Sequence, residues 1–234
     1  MTLPNALRLI PVLVLLLQAG NALADDEESS VTPCGPLHRY GQYGPYDFRN
    51  AGKEKTEVVV AHHFNADVEA LRGGVMYKNN VGGDLDYTLR ALPNHPRALV
   101  AMMRLGERES TEQPRGAHYT VNCYFERALR FRPDDYIVRL IYAGYLINKK
   151  RVGEAVSQID YVAATAPTDN PLTHYNLALL YLDAGQYTKS QEQGLKAEAQ
   201  GKNIEQLRSR LAAVAPAASA PEAPASAASD AGPQ

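Results

Sequence analysis

What this sequence lacks narrows its chemistry first. After residue 24 no block of Lys or Arg occurs, and the formal net charge is only -2 at pH 7. A nucleic-acid binder needs a basic face to neutralise phosphates, and a polybasic anchor needs a cationic cluster, so neither partner is expected. Catalytic signatures are missing as well. The chain contains no G-x-S-x-G, no H-E-x-x-H and no phosphate loop, the arrangements that expose a nucleophile, hold zinc or cradle a nucleotide. Gly82-Gly83 alone is a turn signal. The only cysteines, Cys34 and Cys123, form no C-x-x-C, so thiol redox catalysis has no support. His62 and His63 are adjacent, and in an extended segment they point to opposite faces. His95 and His118 have no Cys or acidic ligand pattern beside them. His63 with Asp67 is the nearest imitation of a metal motif, and it reads as a satisfied or solvated histidine. No enzyme activity, metal or cofactor is expected.

Long apolar runs are scarce too. The longest lies at residues 9–17, short of the roughly 20 residues that span a bilayer. Arg8 precedes it and Ala22-Leu23-Ala24 follows it, so residues 1–24 read as a secretory signal cleaved after Ala24. No cysteine follows that position directly, which argues against a lipid anchor. The processed chain is expected to start near Asp25 and to be soluble in a Gram-negative-type periplasm, without a membrane span. In an oxidising compartment an even cysteine count suits one disulfide, Cys34–Cys123. Closing so long a loop gives roughly 4–5 kcal/mol in the chain-entropy model. The alternative is two unpaired thiols, one of them buried as a small hydrophobe.

Residues 25–83 read as an irregular N-terminal arm. Gly and Pro are dense from Thr32 to Asp47 and forbid regular helix. Tyr40, Tyr43 and Tyr46 fall within seven residues, unusual for a disordered segment, so an ordered coil packed on the body is expected. The three tyrosines either anchor that coil or form an aromatic ligand patch. Val58-Val59-Val60 suggests a short strand at 56–64. Asn65 can cap a short helix from Ala66 to Leu71, which Gly73-Gly74 would stop.

From residue 84 to 214 the pattern is helical. Asp84 is expected to cap a helix ending before Pro93, and Pro96 to open the next, to about Leu105. An enlarged loop at 107–116 precedes a helix over 119–131. Helices at 137–148, 153–165, 172–184 and 187–200 then follow, with Ile204, Leu207 and Leu211 on a last amphipathic helix. Residues 215–234 are Ala, Pro and Ser with little else, and should be disordered.

The last four long helices answer one another at a period of about 35 residues. Tyr142 and Ala143 are answered by Leu177 and Ala178, Leu146 by Tyr181, Ala155 by Ser190 and Val162 by Ala197. Small residues where helices cross, with large ones beside them, favour close antiparallel packing. One such hairpin cannot cover its own apolar face, so neighbours must stack. The run His174-Tyr175-Asn176-Leu177-Ala178-Leu179-Leu180-Tyr181, with Gly185, Tyr187 and Ala197, resembles a tetratricopeptide repeat. Ala128 with Pro133, and Ala155 with Pro167, fit earlier units, while Met103 stands where a small residue is usual. Cys34-Gly35-Pro36-Leu37 and Tyr43-Gly44-Pro45-Tyr46-Asp47 look like exported bacterial repeat proteins of unassigned role. The resemblance implies an all-α solenoid of about three hairpins, a partial leading repeat and a C-terminal capping helix.

It also implies a ligand groove along the first helices. Carried onto this chain, the groove holds Arg97, Val100 and Arg104, then Ile137, Leu140, Gly144 and Ile147, then Leu172, Tyr175, Leu179 and Leu182. Arg97 and Arg104 share a helix face and can grip a carboxylate. Alternatively they are solvated, and the N-terminal arm covers the floor. The expected function is a periplasmic adaptor that binds a protein or peptide in an envelope assembly. The alternative is a cell-wall glycan-binding accessory that uses the tyrosine-rich arm, and a third possibility is a self-assembling structural protein.

Overall fold

The structure is a computed structural model that describes residues 34–76 and 78–218. The expected signal at 1–24 and all but the start of the Ala/Pro-rich tail lie outside the described residues. The chain is all-α, and among the described residues there is no strand. Ten helices follow in order: α1 Lys53–His63, α2 Ala66–Glu69, α3 Val81–Ala91, α4 Pro96–Glu109, α5 Val121–Phe131, α6 Tyr136–Asn148, α7 Val152–Thr165, α8 Pro171–Asp183, α9 Tyr187–Ala199 and α10 Glu205–Ala218.

Side-chain caps set most of the starts. Asn65, Asn80, Thr120, Asp135 and Asn170 each accept a first-turn backbone N–H, which satisfies donors the helix leaves free. Pro96 and Pro171 sit in first turns, where a missing N–H does no harm.

The expected strand at 56–64 is corrected to helix α1. Thr56, Val59, Val60 and His63 are the less exposed positions, and Val58 faces solvent. That spacing is one helix face. Val59 is fully buried among Ala91, Leu92 and the tyrosines of the arm, and this packing overrides the weak β-preference of a valine run. The arm region 25–83 is therefore helical in part, through α1 and α2. Asp84 is not a cap either. Asn80 caps α3 by accepting the Gly83 N–H, and Asp84 lies within the first turn, fully buried. Its carboxylate accepts the Val75 N–H at 2.7 Å and meets His63 Nδ1 at 2.8 Å. The start moves upstream because Gly82 is needed inside the helix. A Cβ there would sit 2.1 Å from the Arg115 carbonyl oxygen.

From α5 onward, consecutive helices are joined by short connections. In α8 and α9, His174 meets Gln193 and the Ser190 hydroxyl donates to the Ala178 carbonyl, an antiparallel register. The turn residues Lys150 and Gly185, 35 positions apart, both have positive φ, 63° and 73°. Crossing positions also correspond: Ala143 and Ala178 are fully buried, as are Ala155 and Ser190. Side by side, α4 packs on α6, α6 on α8, and α8 on α10. One apolar core runs from Phe64 and Val68 to Leu177 and Tyr181. A smaller one, with Ala178, Leu182, Ala197, Ile204 and Leu207, docks α10.

The arm lies on α3 and α5. Cys34 and Cys123 are disulfide-bonded, with Cα atoms 5.1 Å apart. Fully buried Arg127 of α5 donates Nη1 to the carbonyls of Cys34 and Pro36 at 3.0 and 2.6 Å, and its guanidinium stacks over Tyr119 at 4.2 Å. Tyr46 N–H donates to the Ala91 carbonyl at 2.9 Å. Gly44 makes this contact possible. Its φ is +85°, and a Cβ would lie 2.4 Å from the same carbonyl oxygen.

Candidate functional site

The α4, α6 and α8 helices present one continuous face. Arg97, Val100 and Arg104 of α4 line a recess of about 260 Å³ together with Glu69 and Ile141. Ile141 also walls a second recess of about 620 Å³, whose floor includes Met103, Leu140, Gly144, Ile147 and Leu180. The structure thus brings together Arg97, Val100 and Arg104, and beside them Leu140, Gly144 and Ile147. Leu140 is itself almost buried, so it offers an edge. Gly144 leaves the floor open, for the nearest atom to an added Cβ is Leu180 Cδ2 at 3.8 Å.

The third part of the expected floor faces elsewhere. Tyr175 and Leu179 pack with Leu211 and Val214 against the α10 core, and Lys202 Nζ lies 4.8 Å over the Tyr175 ring. Leu172 is exposed. Among the described residues α10 follows the α8–α9 hairpin and takes the apolar surface that a next hairpin would cover.

The two arginines differ in charge state of their surroundings. Arg97 forms a two-point ion pair with Glu69, with Nε donating to Oε1 at 2.6 Å. The Arg97 hydrogen bonds hold the Glu69 carboxyl below its usual range. Both groups are solvated, so the pair adds little stability. Arg104 is exposed and makes no ion pair among the described residues. At the head of α4, His95 caps Ala98 N–H and lies between Phe48 of the arm and Phe64. Burial, helped by Arg97, lowers its pKa to about 4.

Among the described arm residues, Glu69 of α2 lines the smaller recess, where it pairs with Arg97, while the coil of residues 34–52 lines neither. Tyr43 and Tyr46 pack edge to face at 5.1 Å and lean on Val59 and Leu92. Only Tyr40 of the three is fully exposed.

Sequence reasoning missed a set of buried acids. Asp86 takes Tyr124 Oη at 2.5 Å, Arg90 Nε at 2.9 Å and the His118 backbone N–H at 3.2 Å, and meets His118 Nδ1 at 2.7 Å. Asn94 donates to both Asp47 and Asp135. Burial would raise the Asp47 pKa, but hydrogen bonds from Arg49 and Asn94 win and hold it well below the carboxylate range. These acids are saturated with donors and clasp the arm, α3 and α5 together. Their partners lie up to 47 positions away, so no local pattern announces them. His63 meets Asp84, as described, and the expected neighbour Asp67 pairs with Arg72 instead. Among the described residues, Cys34, Cys123 and Glu126 form one gathering of metal-ligand types. Both sulfurs are consumed by the disulfide, which leaves no thiolate to bind an ion.

No family model matches this chain, and no curated protein or solved structure matches it.

Proposed function

We propose that this protein is an exported tetratricopeptide-type scaffold that holds a peptide segment of a partner protein along α4, α6 and α8. The observation that carries this reading is the open two-part recess. It has a cation free of ion pairing, Arg104, at one end and an aliphatic floor around Ile141 and Ile147 at the other. A segment with a carboxylate a few residues from a branched apolar side chain matches that layout. The coil of the arm rests on α3 and α5, and of the described arm residues only Glu69, paired with Arg97, lines the groove. Export is supported by the pattern of residues 1–24 and by the disulfide, which persists in oxidising compartments. The partner would be an envelope protein, and the scaffold would act without catalysis.

Gly144→Leu tests the reading cleanly. The new side chain fills the larger recess, while loss of a mid-helix glycine favours α6 by about 0.8–1 kcal/mol. Cross-linking in intact cells from a photoreactive residue at Ile147 should capture a discrete partner. Capture should vanish with Gly144→Leu while the melting temperature holds or rises. Capture unchanged by the filled recess would rule the groove out.

A further inference from the structure

We propose that a second recess, away from the groove, is a binding site for a phosphorylated small molecule. It has a volume of about 330 Å³ and lies between the α2–α3 connection, the end of α4 and the α4–α5 loop. Four cationic residues from these separate segments line it: Arg72, Lys78, Arg108 and Arg115. Glu109 is the one acidic residue in the wall.

The charges do not cancel. Asp67 pairs with Arg72 at 2.7 Å. Arg108 Nη1 donates to the Leu71 carbonyl at 2.6 Å, a neutral acceptor. Glu109 accepts the backbone N–H of Arg115 at 2.8 Å, while the Lys78 ammonium and the Arg115 guanidinium make no ion pair among the described residues. Like charges drawn into one concavity repel, and low-dielectric walls sharpen the field. Such a cluster suits a polyvalent anion. The backbone at Arg115 is held in place, because its carbonyl packs against Gly82 at the start of α3. That helix start adds partial positive charge at the rim.

The geometry favours a phosphoryl group over a carboxylate. A planar carboxylate is satisfied by one guanidinium fork. Here four cationic residues from three segments surround one recess, which suits a group with three outer oxygens and up to two negative charges.

Calorimetric titration of the full oxidised chain at low ionic strength, with pyrophosphate, inorganic phosphate and citrate as probes, decides the matter. Pyrophosphate is expected to bind with an affinity that falls as salt rises. The double variant Lys78→Gln, Arg115→Gln should weaken it by about tenfold or more. Both side chains are exposed, so the variant should melt as the parent does. Arg104→Gln, in the groove, should bind pyrophosphate like the parent. No pyrophosphate binding by the parent chain, equal binding by the double variant, or tighter binding of citrate would overturn the proposal.

Discussion

His95 shows how one side chain sets the response of the whole molecule to acid. Its pKa is about 4 in the folded chain and 6.5 ordinarily. Between those values the unfolded chain binds a proton that the native chain refuses, so stability falls as pH falls from 6.5 towards 4. The total loss is about 3 kcal/mol, of which about 2 kcal/mol appears by pH 5. Urea denaturation at pH 7.5 and pH 5 should show that difference. His95→Asn keeps a capping side chain and should flatten the dependence; an unchanged slope would mean another group is responsible. Lys150 offers a simpler case. It holds φ 63° where the corresponding residue of the next hairpin is Gly185. Lys150→Gly should therefore stabilise by roughly 0.5–1 kcal/mol, read as a higher melting temperature.

At the scale of elements, the disulfide and Arg127 fasten the start of the arm, and the Tyr46–Ala91 and Asp47–Asn94 contacts fasten it further on. Reduction alone should leave the arm docked but more easily clipped by protease near residue 40, where Tyr40 and Gly41 are exposed. Cys34→Ser should cost roughly 4–5 kcal/mol where loop closure governs, and Arg127→Leu roughly 1–3 kcal/mol for each buried carbonyl it strands without a donor. Chemical denaturation of the two variants would order them. The helices from α4 onward were legible in the sequence to within a few residues, since helix openers such as Pro96 and breakers such as Pro133 are local signals. The error at 56–64 had a physical source. Three valines in a row suggest extension, while the face that matters, Thr56, Val59, Val60 and His63, is defined only by what α3 and the arm bring to it. Asp84 misled for the same reason, for its role depends on His63 and Val75 rather than on its neighbours in sequence. The residues of α4 and α6 that line the two recesses share faces that helical spacing alone shows. Tyr175 and Leu179 pack instead towards α10; the spacing of Ile204, Leu207 and Leu211 marks that helix, while the place where it docks is set only by the tertiary structure.

The whole molecule is a row of helices that touch mainly their near neighbours. Stability in such a row is close to a sum of nearest-neighbour contacts. Its two ends differ: the amino end carries the large core, the arm and the disulfide, while the carboxyl end rests on the small core around Leu207. Hydrogen exchange should accordingly be fastest in α9 and α10 and slowest in α4 to α6. Gly194→Ala should exaggerate this gradient, since a Cβ there would lie 2.6 Å from Leu207 Cδ2. Uniform protection from α3 to α10 would show that the row unfolds as one unit.

The link between Cys34 and Cys123 also changes how the chain carries load. It spans 89 positions of sequence, so tension applied at the two termini bypasses everything between them. A single-molecule pull on the oxidised protein should stretch only residues outside the linked loop, among them most of α5 and the helices after it. Reduction should then release roughly 300 Å of hidden length, which makes the amino half a module that stays folded while the rest is drawn out.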